Sequence, residues 1–448
     1  MADLADVARD LCSRARDDEQ VEVYVVRSQE TEIEVFDGEV ESLSVAGVEG
    51  VGVRLVVDGR QGYAWSGSLE PEVVADTFAE ARDNAEFSVA DEWVGLAAPS
   101  EIDRDPVELD LFRPELGAVA TDDKVAFALE IERATRAADP RVRGVEAAGY
   151  GDTVAEAAVA SSLGVAAELR RTMCSGHAFA MAGEGAETQT GTGFTVGRSF
   201  EELDAARVAR DAAERAVRLL GATRPPSRRL PVVFDAHVTR SLVALIGAAC
   251  SGEAITKGRS MFVDRLDEAV GAENVTLVDD PTIVDALGAS PVDGEGVPTR
   301  RTALVERGTL RAFLHNAYTG RRSGSGSTGS AVRSFKSIPG VGARALFLEP
   351  GPMGREEVLA SVPEALYVQS VSGLHSGTNI VSGDFSVGVE GLMVRDGELA
   401  EPVREVTIAS TLPRMLLDVA EVGNDLEWLP GNAAGQTLLV SEMTLSGS

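Results

Sequence analysis

Between residues 21 and 67 apolar and polar side chains alternate almost without a break, through "VEVYVVRS", "TEIEVFDGEV" and "ESLSVAGVEGVGVRLVVDGRQGYAWSGS". A period of two places every second side chain on the same face of an extended strand, so this stretch predicts a sheet with one buried face. Asp37-Gly38, Glu49-Gly50 and Asp58-Gly59 read as hairpin turns, which divides it into four or five strands. Helical spacing follows at 70–86 and 122–137. Residues 141–196 alternate again, punctuated at Gly151-Asp152 and Gly164, and a helix over 200–220 closes this half.

The polar stretch "GATRPPSRR" at 221–229 marks a boundary, because its two prolines exclude a continuing helix. Beyond it lie a β-like run, "RRLPVVF", and one long helix. The rest is glycine-rich, with strands expected at 275–279, 301–306, 309–314, 366–372, 387–395, 403–408 and 436–445. Short helices fall near 355–362 and 412–420, and hairpin turns at Arg307-Gly308 and Asp396-Gly397. Strands with so little helix between them favour an antiparallel sheet or barrel over a doubly wound parallel one. The expected fold class is α+β: an N-terminal mixed α/β domain with a β-sheet and long helices at 1–222, and a C-terminal β-barrel-like antiparallel domain at 229–448.

Charge narrows the partners. Acidic residues number 72 against 41 basic, a net charge of −31, and the only lysines are Lys124, Lys257 and Lys336. Such a surface repels phosphate backbones, so no direct nucleic-acid binding is expected. No apolar run approaches the ~18 residues of a membrane span. The start, "MADLADVARDLCSRARDDEQ", reads as an acidic amphipathic helix without a signal core, so the expected location is the cytoplasm. Cys12, Cys174 and Cys250 are odd in number and lack CxxC spacing, which fits buried thiols better than disulfides or a zinc site.

Chemistry-bearing residues are sparse. In "FDAHVTRSLVALIGAACSG", Asp235 is suited to cap a helix whose Val238, Leu242, Leu245, Ile246 and Ala249 form one apolar stripe. Its only donors to a metal, His237 and Cys250, lie about 20 Å apart at 1.5 Å per residue, so they cannot share an ion. In "SPVDGEGVPTRR", Asp293 and Glu295 point to the same side of an extended chain, where with Arg300 they form either an acid–base pair or an ion-paired turn. In "SVSGLHSGTNIVSGDFSVG", His375, Asn379 and Asp384 stand among glycines that permit close approach of another backbone such as a bound peptide; a tight turn with a solvated histidine is the plainer alternative. "GRRSGSGSTGSAVRSFK" lacks the Gly-Lys-Ser/Thr ending of a phosphate loop and reads as a surface or active-site loop. There is neither GxSxG nor HExxH, and the four histidines are scattered singly.

The blocks "VFDGEVESLSVAGVEGVGVRLVVDGRQGYAW", "PVDGEGVPTRRTALVERGTLRAFLHN", "STGSA", "SGDFSVGVEGLMVRDGELAEPVREVTIAS" and "VGNDLEW", in this order over nearly the whole chain, resemble the TldD/PmbA family. In that family the TldD branch carries a His-Glu-x-x-x-His helix and a later cysteine that bind the metal of a peptidase. Counted back from Lys257-Gly258, those positions fall on Val243, Ala244 and Ala248, and the segment after "GNDL" has no cysteine. The chain is therefore similar to the TldE (PmbA) branch, whose members pair with a TldD subunit.

The resemblance implies a mixed α/β N-terminal domain and a barrel-like C-terminal one. It also implies a heteromeric metallopeptidase that cleaves extended or unfolded peptides, with metal, expected to be zinc, and general base supplied by the TldD-like partner. On that reading this chain binds no cofactor and has no catalytic residue, and Asp293, Glu295, Arg300, His375, Asn379 and Asp384 are its expected substrate-binding residues. Two alternatives remain at this level: a non-catalytic binding or scaffold partner, and a stand-alone metal-independent hydrolase built on Asp293/Glu295 or His375.

Overall fold

The computed structural model describes residues 3–447. In its N-terminal half the elements are α1 (Leu4–Cys12), β1 (Gln20–Phe36), β2 (Glu39–Val57), β3 (Arg60–Ser66), α2 (Pro71–Phe87), α3 (Thr121–Ala138), β4 (Val142–Ser161), β5 (Ala166–Ala182), β6 (Gln189–Gly197) and α4 (Ala205–Val217). The six strands form one antiparallel sheet, ordered β3-β2-β1-β4-β5-β6. Alternation sorts its faces. Val21, Val23 and Val25 pack with α1 and α2, while Ile33 and Val35, on the same face further along β1, pack with α3 and α4. Between these lie the positions of Glu22 and Tyr24, which point the other way.

Two of the expected turns form. Asp37-Gly38 and Asp58-Gly59 all have positive φ, as a two-residue hairpin turn requires. The third, at Glu49-Gly50, does not: β2 runs straight through it, so residues 21–67 hold three long strands instead of four or five. Gly50 and Gly52 are glycine because another segment lies on them. A Cβ on Gly50 would meet the Phe335 ring at 2.4 Å, and one on Gly52 the Tyr63 hydroxyl at 2.2 Å. Gly151-Asp152 likewise lies inside β4, whereas Gly164 turns at φ +98°. From Glu39 to Val48 β2 is exposed, and it pairs with β3 only over Val51–Val57, so the outer part of this edge is open.

The C-terminal half contains β7 (Arg228–Phe234), α5 (Ala236–Ala249), α6 (Gly252–Thr256), β8 (Leu277–Asp279), β9 (Thr302–Glu306), β10 (Thr309–Leu310), α7 (Ala317–Ser323), β11 (Ala331–Val332), β12 (Gly340–Val341), β13 (Leu346–Leu348), α8 (Arg355–Ala360), β14 (Glu364–Ser372), α9 (Leu374–Gly377), β15 (Asp384–Arg395), β16 (Glu398–Thr411), α10 (Leu412–Leu417), β17 (Val419–Val422), β18 (Glu427–Trp428), β19 (Ala434–Gly435) and β20 (Leu438–Ser446). Strands β16-β15-β14-β7-β20 join in that order, and a β16–β20 pairing closes them into a five-stranded barrel. Four pairings are antiparallel, as expected for this half. The fifth, β7 with β14, is parallel, with Leu366 opposite Val232. A parallel pair needs a long crossover, which here is the whole of residues 235–363.

Leu230, Val232 and Phe234 face the barrel core with Leu366, Val368, Phe385 and Val387, and the apolar stripe of α5 joins the same cluster. Val233 and Tyr367 point outward beneath α8. Asp235 caps α5 by accepting from His237 N at 3.0 Å. It also accepts from Arg215 of α4 at 2.8 Å and from the Tyr367 hydroxyl. Burial opposes its charge, yet Arg215, together with His237 and Tyr367, holds the carboxyl down at about 2. One carboxylate thus ties the helices of the first half to the barrel.

Candidate functional site

The helix α5 is buried as the apolar pattern requires, and the three positions singled out on it run from its buried stripe round to its exposed face. Val243 is 1% exposed in the core, Ala244 is half-buried and Ala248 is exposed. None carries a donor atom. His237 stacks against Phe194 at 6.0 Å, and burial, then Arg215, push its imidazole down to about 4, so it is neutral at pH 7. Burial pushes the Cys250 thiol up to about 12. Among the described residues no group of three or more His, Cys, Asp or Glu side chains could hold a metal ion. The residues present on α5 do not fit the family's metal.

Immediately after α5, α6 packs on α7, and a Cβ on Gly252 would collide with the His315 ring at 2.2 Å. Buried His315 is pinned from all sides: Nδ1 lies 3.2 Å from Thr319 Oγ1, and its backbone N donates to Thr328 Oγ1 at 2.7 Å. The serine- and glycine-rich loop, with positive φ at Gly324, Gly326 and Gly329, therefore wraps the histidine. Burial lowers this imidazole to about 4 as well.

Between α6, α7 and the first half's sheet lies a cleft of about 340 Å³, bordered by Arg54, Asp91, Lys257, Asn316, Tyr318 and Arg322. The Tyr318 hydroxyl donates to Asp91 at 2.9 Å, and Arg321 reaches across to Glu101 at 2.9 Å, so the wall is held jointly by both halves. This mixed polar surface can hydrogen-bond an extended main chain. Thr319, whose hydroxyl lies 3.2 Å from the His315 imidazole, also borders it, but is buried.

Asp293 and Glu295 do sit together, 1% exposed each, at this same junction. Asp293 Oδ1 accepts from the backbone of Glu295 and Val297 at 2.9 and 3.0 Å, and Oδ2 from Ala331 N at 2.9 Å. Glu295 accepts from Arg54 Nη1 at 3.0 Å and from Ala317 N, at the start of α7, at 2.8 Å. Burial first, and the mutual repulsion of the two carboxylates next, pushes Asp293 up to about 7; burial outweighs Arg54 and raises Glu295 too. These carboxylates hold a loop and an interface, and every oxygen already has a donor.

Arg300 is half-buried a few residues on, beside Arg104, and is not part of this cluster. His375, Asn379 and Asp384 form a third group, an exposed turn at the mouth of the barrel. There Asn379 Oδ1 accepts from Val381 N at 2.8 Å, and Asp384 takes the Ser382 hydroxyl at 2.6 Å. The six expected residues therefore divide among three places.

Reading the chain alone misses Glu22, Arg54, Arg333 and Arg344. Glu22 and Arg54 alternate with valines in β1 and β2 and so look solvent-facing, yet their side chains are 2% and 3% exposed. Arg333 pairs with Glu22 and is 0% exposed. The one available signal is the pair of glycines at 50 and 52, which marks a segment lying on that face of the sheet.

Comparison with known proteins completes the assignment. Models of the PmbA/TldA metallopeptidase domain 1, central domain and C-terminal domain match residues 21–85, 114–220 and 227–447. The chain is 27% identical to the Escherichia coli O157:H7 protein named metalloprotease PmbA, over 95% of this chain and 92% of that protein. It is 28% identical to a metalloprotease of Methanothermobacter thermautotrophicus, over 91% and 88%. Its fold superposes on a candidate modulator of a DNA gyrase from Thermotoga maritima with a TM-score of 0.90, at 26% identity over 98% and 99% of the two chains. TldE from Thermococcus kodakarensis shares the fold at a TM-score of 0.88, 22% identity and 99% coverage of both. With three successive domain models matched in order and relatives aligned along nearly its whole length, the chain belongs to the PmbA/TldD metallopeptidase family.

Proposed function

We propose that this chain is the metal-free subunit of a heteromeric TldD/TldE-type metallopeptidase that acts in the cytoplasm on extended or unfolded peptides. The partner supplies the metal, zinc, and the general base; this chain shapes the groove. The observation that carries the reading is α5 itself: an intact, capped and correctly packed helix whose three expected ligand and base positions hold Val243, Ala244 and Ala248. Membership in a family named for metallopeptidase activity supports the reaction class.

The polar cleft beside α6 and α7 supports main-chain recognition, a mode that tolerates varied side chains. Arg300, His375, Asn379 and Asp384 are the groove and rim contacts in this reading, and Asp293 and Glu295 serve it from the interior by fixing α7. The open outer edge of β2, with Val40, Leu43, Val45 and Val48 exposed, supports an assembly surface for the TldD-like chain.

The test is peptidase activity on an unfolded peptide, with metal analysis, for this chain, for a TldD-like partner and for the co-purified pair. Activity with about one metal per pair, and neither property in this chain alone, is the expected result. Metal or turnover in the isolated chain refutes the assignment. Full activity of the partner alone reduces this chain to a scaffold.

A further inference from the structure

In a chain with a net charge of −31, three arginines, Arg171, Arg333 and Arg344, border one small cavity where β1, β4 and β5 meet the segment 289–344, while Arg170, next to Arg171 in β5, turns its guanidinium to Glu156 and the Phe112 ring. The cavity, about 120 Å³, is bounded by Tyr24, Arg170, Arg171, Asp293, Arg333 and Arg344. The Arg333 guanidinium lies over the Tyr24 ring at 5.1 Å and uses Nη1 on Glu22. Arg344 uses Nη2 on the Ala331 carbonyl at 3.0 Å, and the N–H of the same residue is the one bound by Asp293.

What remains is unspent. Among the described residues, buried Arg344 Nε has no hydrogen-bond partner, and buried Arg333 Nε and Nη2 have no well-aligned acceptor, the Tyr63 hydroxyl being the one oxygen besides those of Glu22 that interacts with this guanidinium. Buried charged donors without an acceptor are costly, and native proteins satisfy them with protein, water or ligand. The nearby carboxylates are already engaged: Glu156 with Arg170 at 2.9 Å, Asp293 with three backbone N–H groups, Glu22 with Arg333 and Arg54. The Arg171 side chain, exposed at the mouth, has neither hydrogen bond nor ion pair among the described residues.

We infer that this junction cavity is a carboxylate-binding site, in which Arg333 and Arg344 hold the two oxygens and Arg171 draws the anion in. A planar carboxylate matches the fork of a guanidinium. The volume takes a small planar anion with a water or two, each water filling about 30 Å³, and no nucleotide. Asp293 in the wall disfavours a doubly charged phosphate against a singly charged carboxylate. The same chemistry is offered by a small free acid and by the C-terminal carboxylate of a peptide. The inference does not depend on the peptidase reading, because it concerns binding by this chain alone.

Calorimetric titration of the full chain at low salt tests it, with acetate and with one short peptide carrying either a free or an amidated C-terminus. Acetate binds saturably, Arg344→Gln weakens it about tenfold or more, and Arg171→Gln weakens it several-fold while flattening its salt dependence. Displacement of acetate by the free-acid peptide and not by its amide identifies a peptide terminus as the source. Acetate binding that neither peptide displaces identifies a free acid. No saturable carboxylate binding, which would leave only water in the cavity, overturns the inference, as does binding unchanged in both variants. Should Arg344→Gln fail to fold, Arg171→Gln, at an exposed residue, decides alone.

Discussion

Removing the Glu295 carboxylate is the sharpest test of how the two halves are joined. Its oxygens lie 3.0 Å from Arg54 Nη1 and 2.8 Å from Ala317 N, with side-chain exposures of 0% for Glu295 and 3% for Arg54. At an effective dielectric of about 20, unit charges at the Arg54–Glu295 distance attract by roughly 5–6 kcal/mol, and at the 3.7 Å between Arg54 and Glu22 by roughly 4–5 kcal/mol. Desolvation offsets much of both.

Breaking a buried pair from one side costs about 3–5 kcal/mol. Because Glu22, Gln61 and the Gly95 carbonyl still attend Arg54, Glu295→Ala falls at the lower end, about 3 kcal/mol, part of it the orphaned Ala317 N–H. Urea denaturation reads the loss as a shift in midpoint at unchanged slope, and hydrogen exchange at the start of α7 locates it. Replacing both partners, Arg54→Met with Glu295→Leu, recovers at least about 1.5 kcal/mol relative to the sum of the single changes. A single-mutant loss below about 0.5 kcal/mol, or strict additivity in the double mutant, would refute the argument that this ion pair carries the interface.

Asp293 is raised to about 7 and Asp279 to about 6, chiefly by burial, so the stability tied to their protonated forms is full below about pH 4 and is lost as pH rises through 6–7; Asp293→Asn flattens that alkaline-side decline in a pH series of thermal midpoints. His237 and His315, lowered to about 4 mainly by burial, act oppositely: their contribution is present above pH 6.5 and is lost as pH falls through 4, and His237→Gln shrinks the acid-side loss in the same series. Gly435→Ala places a Cβ 1.8 Å from the Ala236 carbonyl and lowers stability by about 3 kcal/mol or more, which an unchanged melting temperature would contradict. Val45→Lys, on the open edge of β2, leaves the unfolding midpoint within about 0.5 kcal/mol of the parent but weakens co-purification with a TldD-like chain; intact pairing would remove the hairpin from the proposed interface.

Local pattern reported the elements well wherever neighbours in sequence are also neighbours in space. The Asp-Gly turns at 37–38, 58–59 and 396–397, the capped α5 and the three buried cysteines all belong to that class. It failed where a distant segment decides. Glu49-Gly50 has the composition of a turn, but its glycine serves the Phe335 ring. Arg54 has the alternation of a solvent-facing residue, but its partner lies 241 positions away. The parallel β7–β14 pair leaves no trace in either strand, since the paired segments, Val232–Phe234 and Leu366–Val368, are apolar runs that suit either direction. For the candidate site, Asp293 and Glu295 are visible as a pair from their spacing; that they are enclosed by Arg54 and four backbone donors is not, because burial belongs to the interface and not to the loop.

The closed barrel has a temporal consequence. Strand β7 is flanked by β14 and β20, whose residues follow it by more than a hundred and more than two hundred positions. The N-terminal sheet is complete by Gly197 and is built largely from adjacent hairpins, so it can form while later residues are still being synthesised. The barrel can close only once β20 has been made, after passing through a state in which Val232, Phe234, Leu366 and Val368 lack half their cover. Low-separation contacts form first and long-range strand pairing is slow, so the emerging chain is an ordered sheet trailing an apolar, unfinished barrel. Aggregation during synthesis, and dependence on chaperones, should therefore concentrate in residues 228–437, and a chain cut before Leu438 should retain the sheet but leave the barrel open.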